Sequence, residues 1–222
     1  MPIAVGEMSQ FSEGVGREDV ARHLNREEQL IRDAQNGDVR AFNQLVRAHQ
    51  ERVYRLAYRI LGDPEAAGDA TQEAFVSAYR HLSAFRGGSL NAWLMRIATN
   101  ACYDQLRKKR RERADSLDAL LGDPEKVAPH LAHTALESPQ DLVERRELND
   151  LIRQGLARLP FEQRVTLVLA DVENYTYEQV AEITQANLGT VKSRLARGRG
   201  ALREFLLAEQ DLLPTKYRRR RD

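Results

Sequence analysis

Seven side chains between Thr190 and Arg203 are of the kinds that hold nucleic acid: Thr190, Lys192, Ser193, Arg194, Arg197, Arg199 and Arg203. Hydroxyls suit phosphate oxygens, and guanidinium forks suit both phosphates and the acceptor edges of bases. Gly189–Arg203 holds five cations and no acid, whereas a helix face that only keeps a bundle soluble mixes both signs. Lys192 and Arg194 fall in the first turns, where a recognition helix enters the major groove, and are expected to read bases; Arg197 lies a little farther in. Arg199 and Arg203, toward the exit, are expected to grip the backbone. A second set, Asp69, Gln72 and Glu73, stands at i, i+3 and i+4 and shares one helix face. Two carboxylates so spaced could hold a metal or act as acid and base. No histidine or third acid converges with them in sequence, so a protein-contact face is the better reading. Cys102 is read as a small buried hydrophobe, and His130 and His133 as solvated side chains rather than a metal pair.

A helix-turn-helix is predicted to carry the basic face. Thr176 with Gln179 three residues on forms a capping box. Val180, Ala181 and Ile183 give a short first helix its apolar face. Gln185-Ala186-Asn187 makes the turn, Asn187 being tolerant of left-handed or cap geometry. The second helix, from Gly189, turns Val191, Leu195, Leu202, Phe205 and Leu206 inward.

The remaining chain reads as all-α. Its 222 residues, 42% hydrophobic, suit one or two small domains. A single cysteine rules out a disulfide framework and fits a reducing cytosol. No apolar run approaches a membrane span, and residues 1–24 lack the apolar stretch of a signal peptide. They mix Gly, Ser and charge without period and are expected to be disordered. One helix is predicted from Asn25 to the stop at Gly37. The next is capped by Asp38, lined by Phe42, Leu45, Val53, Leu56, Ala57 and Ile60, and closed by Gly62. Asp63-Pro64 opens a third helix, whose apolar line is Ala66, Ala70, Ala74, Phe75, Ala78 and Leu82. Gly68 lies inside it without a packing reason, at a cost of about 1 kcal/mol relative to alanine.

The breaker Phe85–Ser89 leads into the longest helix, from Leu90 or Asn91 to about Arg111. Between Phe85 and Arg113 eight Lys/Arg stand against Asp104 and Glu112. Five consecutive cations, Arg107 to Arg111, exceed what a helix C-terminus needs and suggest a phosphate-binding track. From Ala114 to Asp141 periodicity is lost, and six acids face Lys126 alone. This is a net-acidic tether, on the order of 80 Å when fully extended. Net charge is only +1, yet it conceals this segregation. The expected organisation is a disordered segment 1–24, a helical domain 25–113, a flexible acidic linker 114–137, a helix-turn-helix domain 138–208 and a basic tail 209–222.

Four stretches in this order carry a family resemblance: DPEAAGDATQEAF (63–75), FRGGSLNAWLMRIATNACYDQLRKKRR (85–111), LPFEQRVTLVLADVENYTYEQVAEI (159–183) and LGTVKSRLARGR (188–199). The chain resembles the extracytoplasmic-function sigma factors of bacterial RNA polymerase over about residues 26–113 and 138–207. The resemblance implies a cytoplasmic, non-enzymatic transcription initiation factor without cofactor or metal. It implies docking on the clamp helices of the core polymerase's largest subunit through Asp69, Gln72, Glu73 and Phe75. It implies melting and reading of the −10 element by Phe85, Arg86, Ser89, Asn91, Arg96, Asn100, Arg107, Lys108, Lys109 and Arg110. The residues from Thr190 to Arg203 would read the −35 element, and the acidic linker would thread the polymerase channel. An anti-sigma factor is a candidate partner; membrane insertion is not expected. The family's turn usually carries Gly and often Pro where Gln185 and Asn187 stand, and Gly68 replaces a commonly charged residue. Two other classes fit parts of the pattern. A helix-turn-helix regulator acting without core polymerase would need a receiver or ligand domain in front, and a nucleic-acid enzyme built on Asp69 and Glu73 would need a third ligand.

Overall fold

The computed structural model describes residues 17–115 and 139–209, with backbone alone for 17–25, 110, 112–115, 139–143 and 145. The expectations for the linker, for His130 and His133 and for the basic tail lie outside the described residues. Eight α-helices and no strand are found among those described: α1 Arg17–Gln35, α2 Val39–Leu61, α3 Pro64–His81, α4 Leu90–Asp115, α5 Pro139–Arg158, α6 Phe161–Leu167, α7 Tyr177–Thr184 and α8 Leu188–Ala208. A 3-10 turn, Leu82–Ala84, follows α3, and a π-helical turn, Val168–Val172, follows α6.

The predicted punctuation is visible in the backbone. Gly37 and Gly62 adopt φ of 95° and 73° after α1 and α2, a conformation that costs glycine little. Asp38 Oδ1 accepts the amides of Arg40 and Ala41 at 2.7 and 3.3 Å. Asp63 does the same for Glu65 and Ala66 at 3.0 and 3.1 Å. The Ala66 amide above all, against some burial and with help from Lys109, holds the Asp63 carboxyl below its usual range. One boundary differs from expectation: α1 starts at Arg17, not Asn25. Glu18 and Asp19 fall in its first turn, where acids favour a helix start, so the segment read as aperiodic contains a helix beginning.

The described chain forms two compact units. The first takes in the chain up to His49 together with Tyr79–Arg86. Its core holds Ile31, Ala34, Ala41, Phe42, Leu45, Leu82 and Phe85. Gln35 Nε2 donates to the carbonyls of Leu82 and Phe85 at 3.0 and 2.9 Å, tying α1 to the turn after α3. Phe42 and Tyr79 pack with ring centroids 4.9 Å apart.

The second unit gathers Gln50–Ala78 with the chain from Gly87 onward, a grouping different from the expected consecutive domains 25–113 and 138–208. The buried line of α3 is Ala67, Ala70, Ala74, Phe75 and Ala78, one residue displaced at its start from the expected Ala66. Gly68 is exposed, with open space where a Cβ would stand. Gly68→Ala should therefore stabilise the fold by about 1 kcal/mol in urea unfolding. Gly155 of α5 is the opposite case. A Cβ there would lie 2.5 Å from Leu202 Cδ1 and 2.6 Å from Phe205 Cδ1 of α8, so Gly155→Ala should destabilise by about 1–3 kcal/mol in the same experiment. Nothing in the apolar pattern of α5 marks Gly155 as a contact point. Cys102 is fully buried, and burial pushes its thiol up to about 12. At neutral pH it is a protonated core side chain, so iodoacetamide should modify it only after denaturant is added.

Candidate nucleic-acid interface

The helix-turn-helix is built as its residues predict. Thr176 Oγ1 accepts the Gln179 amide at 3.3 Å while Gln179 Oε1 accepts the Thr176 amide at 2.9 Å, completing the capping box of α7. Gln185 ends α7 in the left-handed region, φ 52°. It thus carries the strained turn geometry where glycine would be cheaper. Asn187 is extended instead and caps α8, its Oδ1 accepting the Thr190 amide at 2.8 Å. Val180, Ile183, Val191 and Leu195 are buried to within 2% and pin the two helices on the core.

This packing decides which cations of α8 face outward. Lys192, Arg197, Arg199 and Arg203 are exposed, Thr190 and Ser193 half-buried. Ser193 Oγ donates to the Thr190 carbonyl at 3.0 Å, and Arg197 Nη2 reaches Ser193 Oγ at 3.5 Å. Arg194 departs from expectation. It stands at the edge of the buried stripe, pairs with Glu162 of α6 at 3.0 Å, and keeps a buried Nη1 without a hydrogen-bond partner. Arg194 precedes buried Leu195 and follows buried Val191 by three positions, so helix periodicity turns it inward. Arg199 is held by Asp171, Nη2 to Oδ1 at 2.6 Å and Nε to Oδ2 at 2.8 Å. Two of the five cations are thus already paired by acids from α6 and the π-helical turn, neither of which sequence reasoning had singled out.

The second basic element is α4. Gly87 and Gly88 have φ of 99° and 89°, and Ser89 Oγ accepts the Ala92 amide at 3.2 Å, capping the helix. Arg86, Arg96, Asn100, Arg107 and Lys108 are exposed. Arg107 lies over the Tyr103 ring at 5.7 Å, Lys109 meets Asp63 at 3.4 Å, and the Arg110 side chain lies outside the described residues. Phe85, expected to face DNA, is 8% exposed and belongs to the core of the first unit. Asn91 is half-buried: its Nδ2 donates to the Tyr175 hydroxyl at 2.6 Å, and its Oδ1 has no hydrogen-bond partner. Burial pushes the Tyr175 hydroxyl above its usual range, partly offset by the Arg52 guanidinium.

On α3, Asp69, Gln72 and Glu73 are exposed on one face, next to exposed Val76. Glu73 Oε1 accepts from Gln105 Nε2 at 3.0 Å. Phe75 was expected to share in this contact face, but it points into the core at 9% exposure; one residue from Glu73's neighbour is enough to cross from one face of a helix to the other. Among the described residues no three of His, Cys, Asp and Glu gather to hold a metal, and no helix is long and apolar enough to cross a membrane.

Comparison with known proteins finds two consecutive matching stretches. The family model of sigma-70 region 2 matches residues 45–112, and that of sigma-70 region 4 matches residues 149–202. The chain is 37% identical over 182 residues to the RNA polymerase sigma-H factor of Pseudomonas aeruginosa, covering 82% of this chain and 94% of that protein. It is 36% identical over 180 residues to the ECF RNA polymerase sigma factor SigW of Bacillus subtilis, covering 79% and 94%. A solved structure of the sigma factor RpoE with the anti-sigma factor NepR from Bartonella quintana is 29% identical, with a TM-score of 0.59 over 76% of this chain and 98% of that one.

Proposed function

The chain belongs to the extracytoplasmic-function RNA polymerase sigma factors, and from that premise we propose how its residues divide the work. Residues 25–113 form the region 2 domain and residues 138–208 the region 4 domain. Core polymerase docks on the exposed α3 face of Asp69, Gln72 and Glu73. The outer face of α8, with Lys192, Ser193, Arg197 and Arg203, enters the −35 major groove; Arg194 and Arg199 support it from its flanks. The −10 strand is captured by Asn91, Arg96 and Asn100 on α4 and drawn along Arg107 and Lys108. Capturing unpaired bases against a basic, polar track is what makes melting favourable without any bond chemistry. The protein therefore acts as a non-enzymatic initiation factor in the cytoplasm, where core polymerase works, and an anti-sigma protein is its candidate regulator.

The observation that carries this reading is the acid-free outward face of α8 from Leu188 to Arg203, presented by a helix-turn-helix with both N-termini capped, together with a separate basic helix, α4. Transcription in vitro with core polymerase on genomic fragments tests it. Discrete start sites that share two upstream elements, and vanish when the chain is omitted, are expected. Start sites indifferent to the chain would overturn it.

A further inference from the structure

Seven contacts join residues on α2, on Gly62 just after it and on α4 to residues beyond 150, and they are of a kind that must be broken for the two DNA-reading elements to separate. Arg164 of α6 is buried, and its Nη1 donates to the Ile60 carbonyl at 2.7 Å. Arg153 of α5 reaches the Gly62 carbonyl at 3.2 Å. The last carbonyls of a helix lack partners within it and sit at its negative end, so two guanidinium groups cap α2 from another part of the chain. Glu173, its side chain 6% exposed, pairs with Arg59 and lies 4.0 Å from Arg52. Arg52 also lies over the Tyr175 ring at 5.3 Å. The Tyr175 hydroxyl takes the Asn91 amide, and the rings of Tyr103 on α4 and Phe161 on α6 meet at 5.1 Å.

We infer that Glu173 is the key residue of an intramolecular latch that holds the free chain closed, with Asn91 occupied by Tyr175 rather than by a base. The inference rests on the proposed −10 role of Asn91. The N–H that Asn91 gives to Tyr175 is withheld from a strand, and its Oδ1 is buried beside that contact. The closed form also carries its own weakness. Asn91 Oδ1 is buried without a partner, and such an atom regains hydrogen bonds once exposed. A buried ion pair gives geometric definition more than net stability, because opening returns all its charges to water. The latch is accordingly reversible, and a partner that binds only the open form shifts the population toward it.

Paired spin labels test this on the full chain. Asp104→Cys and Glu204→Cys place labels on exposed positions of α4 and α8; buried Cys102 is replaced by alanine. The unaltered latch should give a narrow distance distribution at the separation seen in the closed structure. Glu173→Lys should broaden and lengthen it, and Arg59→Glu, on the other side of the contact, should do the same. The exchange Arg59→Glu with Glu173→Arg should restore the narrow distribution, which a merely misfolded variant would not do. A broad distribution without any latch substitution, or a narrow one that survives both single reversals, would overturn the latch. Core polymerase is added second. If about one tenth of the free chain is open, opening variants should bind core up to about tenfold more tightly. Equal core affinity in open and latched chains would overturn the inhibitory role. Absence of core binding in every form would instead overturn the proposed function, since the distance measurement contains no polymerase or DNA.

Discussion

Replacing Asp69 and Glu73 together by lysine is expected to abolish association with core RNA polymerase while leaving helical content and unfolding midpoint nearly unchanged. Both side chains are exposed on α3, and Glu73 makes one exposed hydrogen bond, to Gln105. Surface substitutions of this type usually stay within about 0.5 kcal/mol of the parent stability. Across an interface the same change places like charges where opposite ones met, which costs several kcal/mol and so at least about a hundredfold in affinity. Phe75→Ala provides the contrast. Phe75 is a core side chain, and its truncation should cost about 3–5 kcal/mol of folding stability. Co-purification with core enzyme and circular dichroism on the same samples separate the two effects. Retained core binding in the double lysine variant would remove the docking assignment. Loss of core binding with a lowered unfolding midpoint would place Asp69 and Glu73 in the fold instead.

How far the sequence could be read depended on whether a residue's role is local. Caps and turns are local: Asp38, Asp63, Thr176 with Gln179, Gly37 and Gly62 each act within a few residues of themselves, and each is found where its chemistry put it. The order of the helices followed from such punctuation together with the 3.6-residue period. Roles set by tertiary neighbours were out of reach. Arg164 sits in the run FEQRVTL as its one cation, and only the fold shows its guanidinium meeting the carbonyls of Ile60, Ala157 and Leu159. Nothing in the local pattern singles out Glu173 and Tyr175, yet they touch α2 and α4. Phe75 and Phe85 were named for motifs they belong to, and burial gives both to the core. The inward pairing of Arg194 with Glu162 depends on position around the helix, which distance along it does not show. The start of α1 was missed because its first turns mix charge with isolated apolar residues and lack a cap signal.

Around α8 the corrected geometry separates base reading from backbone grip more sharply than distance from the helix start did. Lys192, Ser193 and Arg197 lie on the outward side of the first three turns, and Arg203 lies one to two turns farther on; Arg197, Lys192 and Arg203 are all exposed. Arg197→Ala should therefore relax preference at one or two −35 positions, costing about 1–3 kcal/mol on the preferred sequence and little on mismatched ones. Arg203→Ala should weaken all duplexes alike and reduce the slope of log affinity against log salt by about one. Arg194→Ala removes the partner of Glu162 and no outward-facing donor. It should lower affinity modestly for every sequence without changing the order of preference. Salt titrations of the full chain bound to core polymerase, against matched and mismatched −35 elements, distinguish the three. If Arg194→Ala alone reorders the preference, the ion pair opens on binding and Arg194 swings outward to read a base. If Arg197→Ala weakens every duplex equally, α8 grips phosphates along this face, and selectivity has to come from Lys192, Ser193 or the shape of the groove.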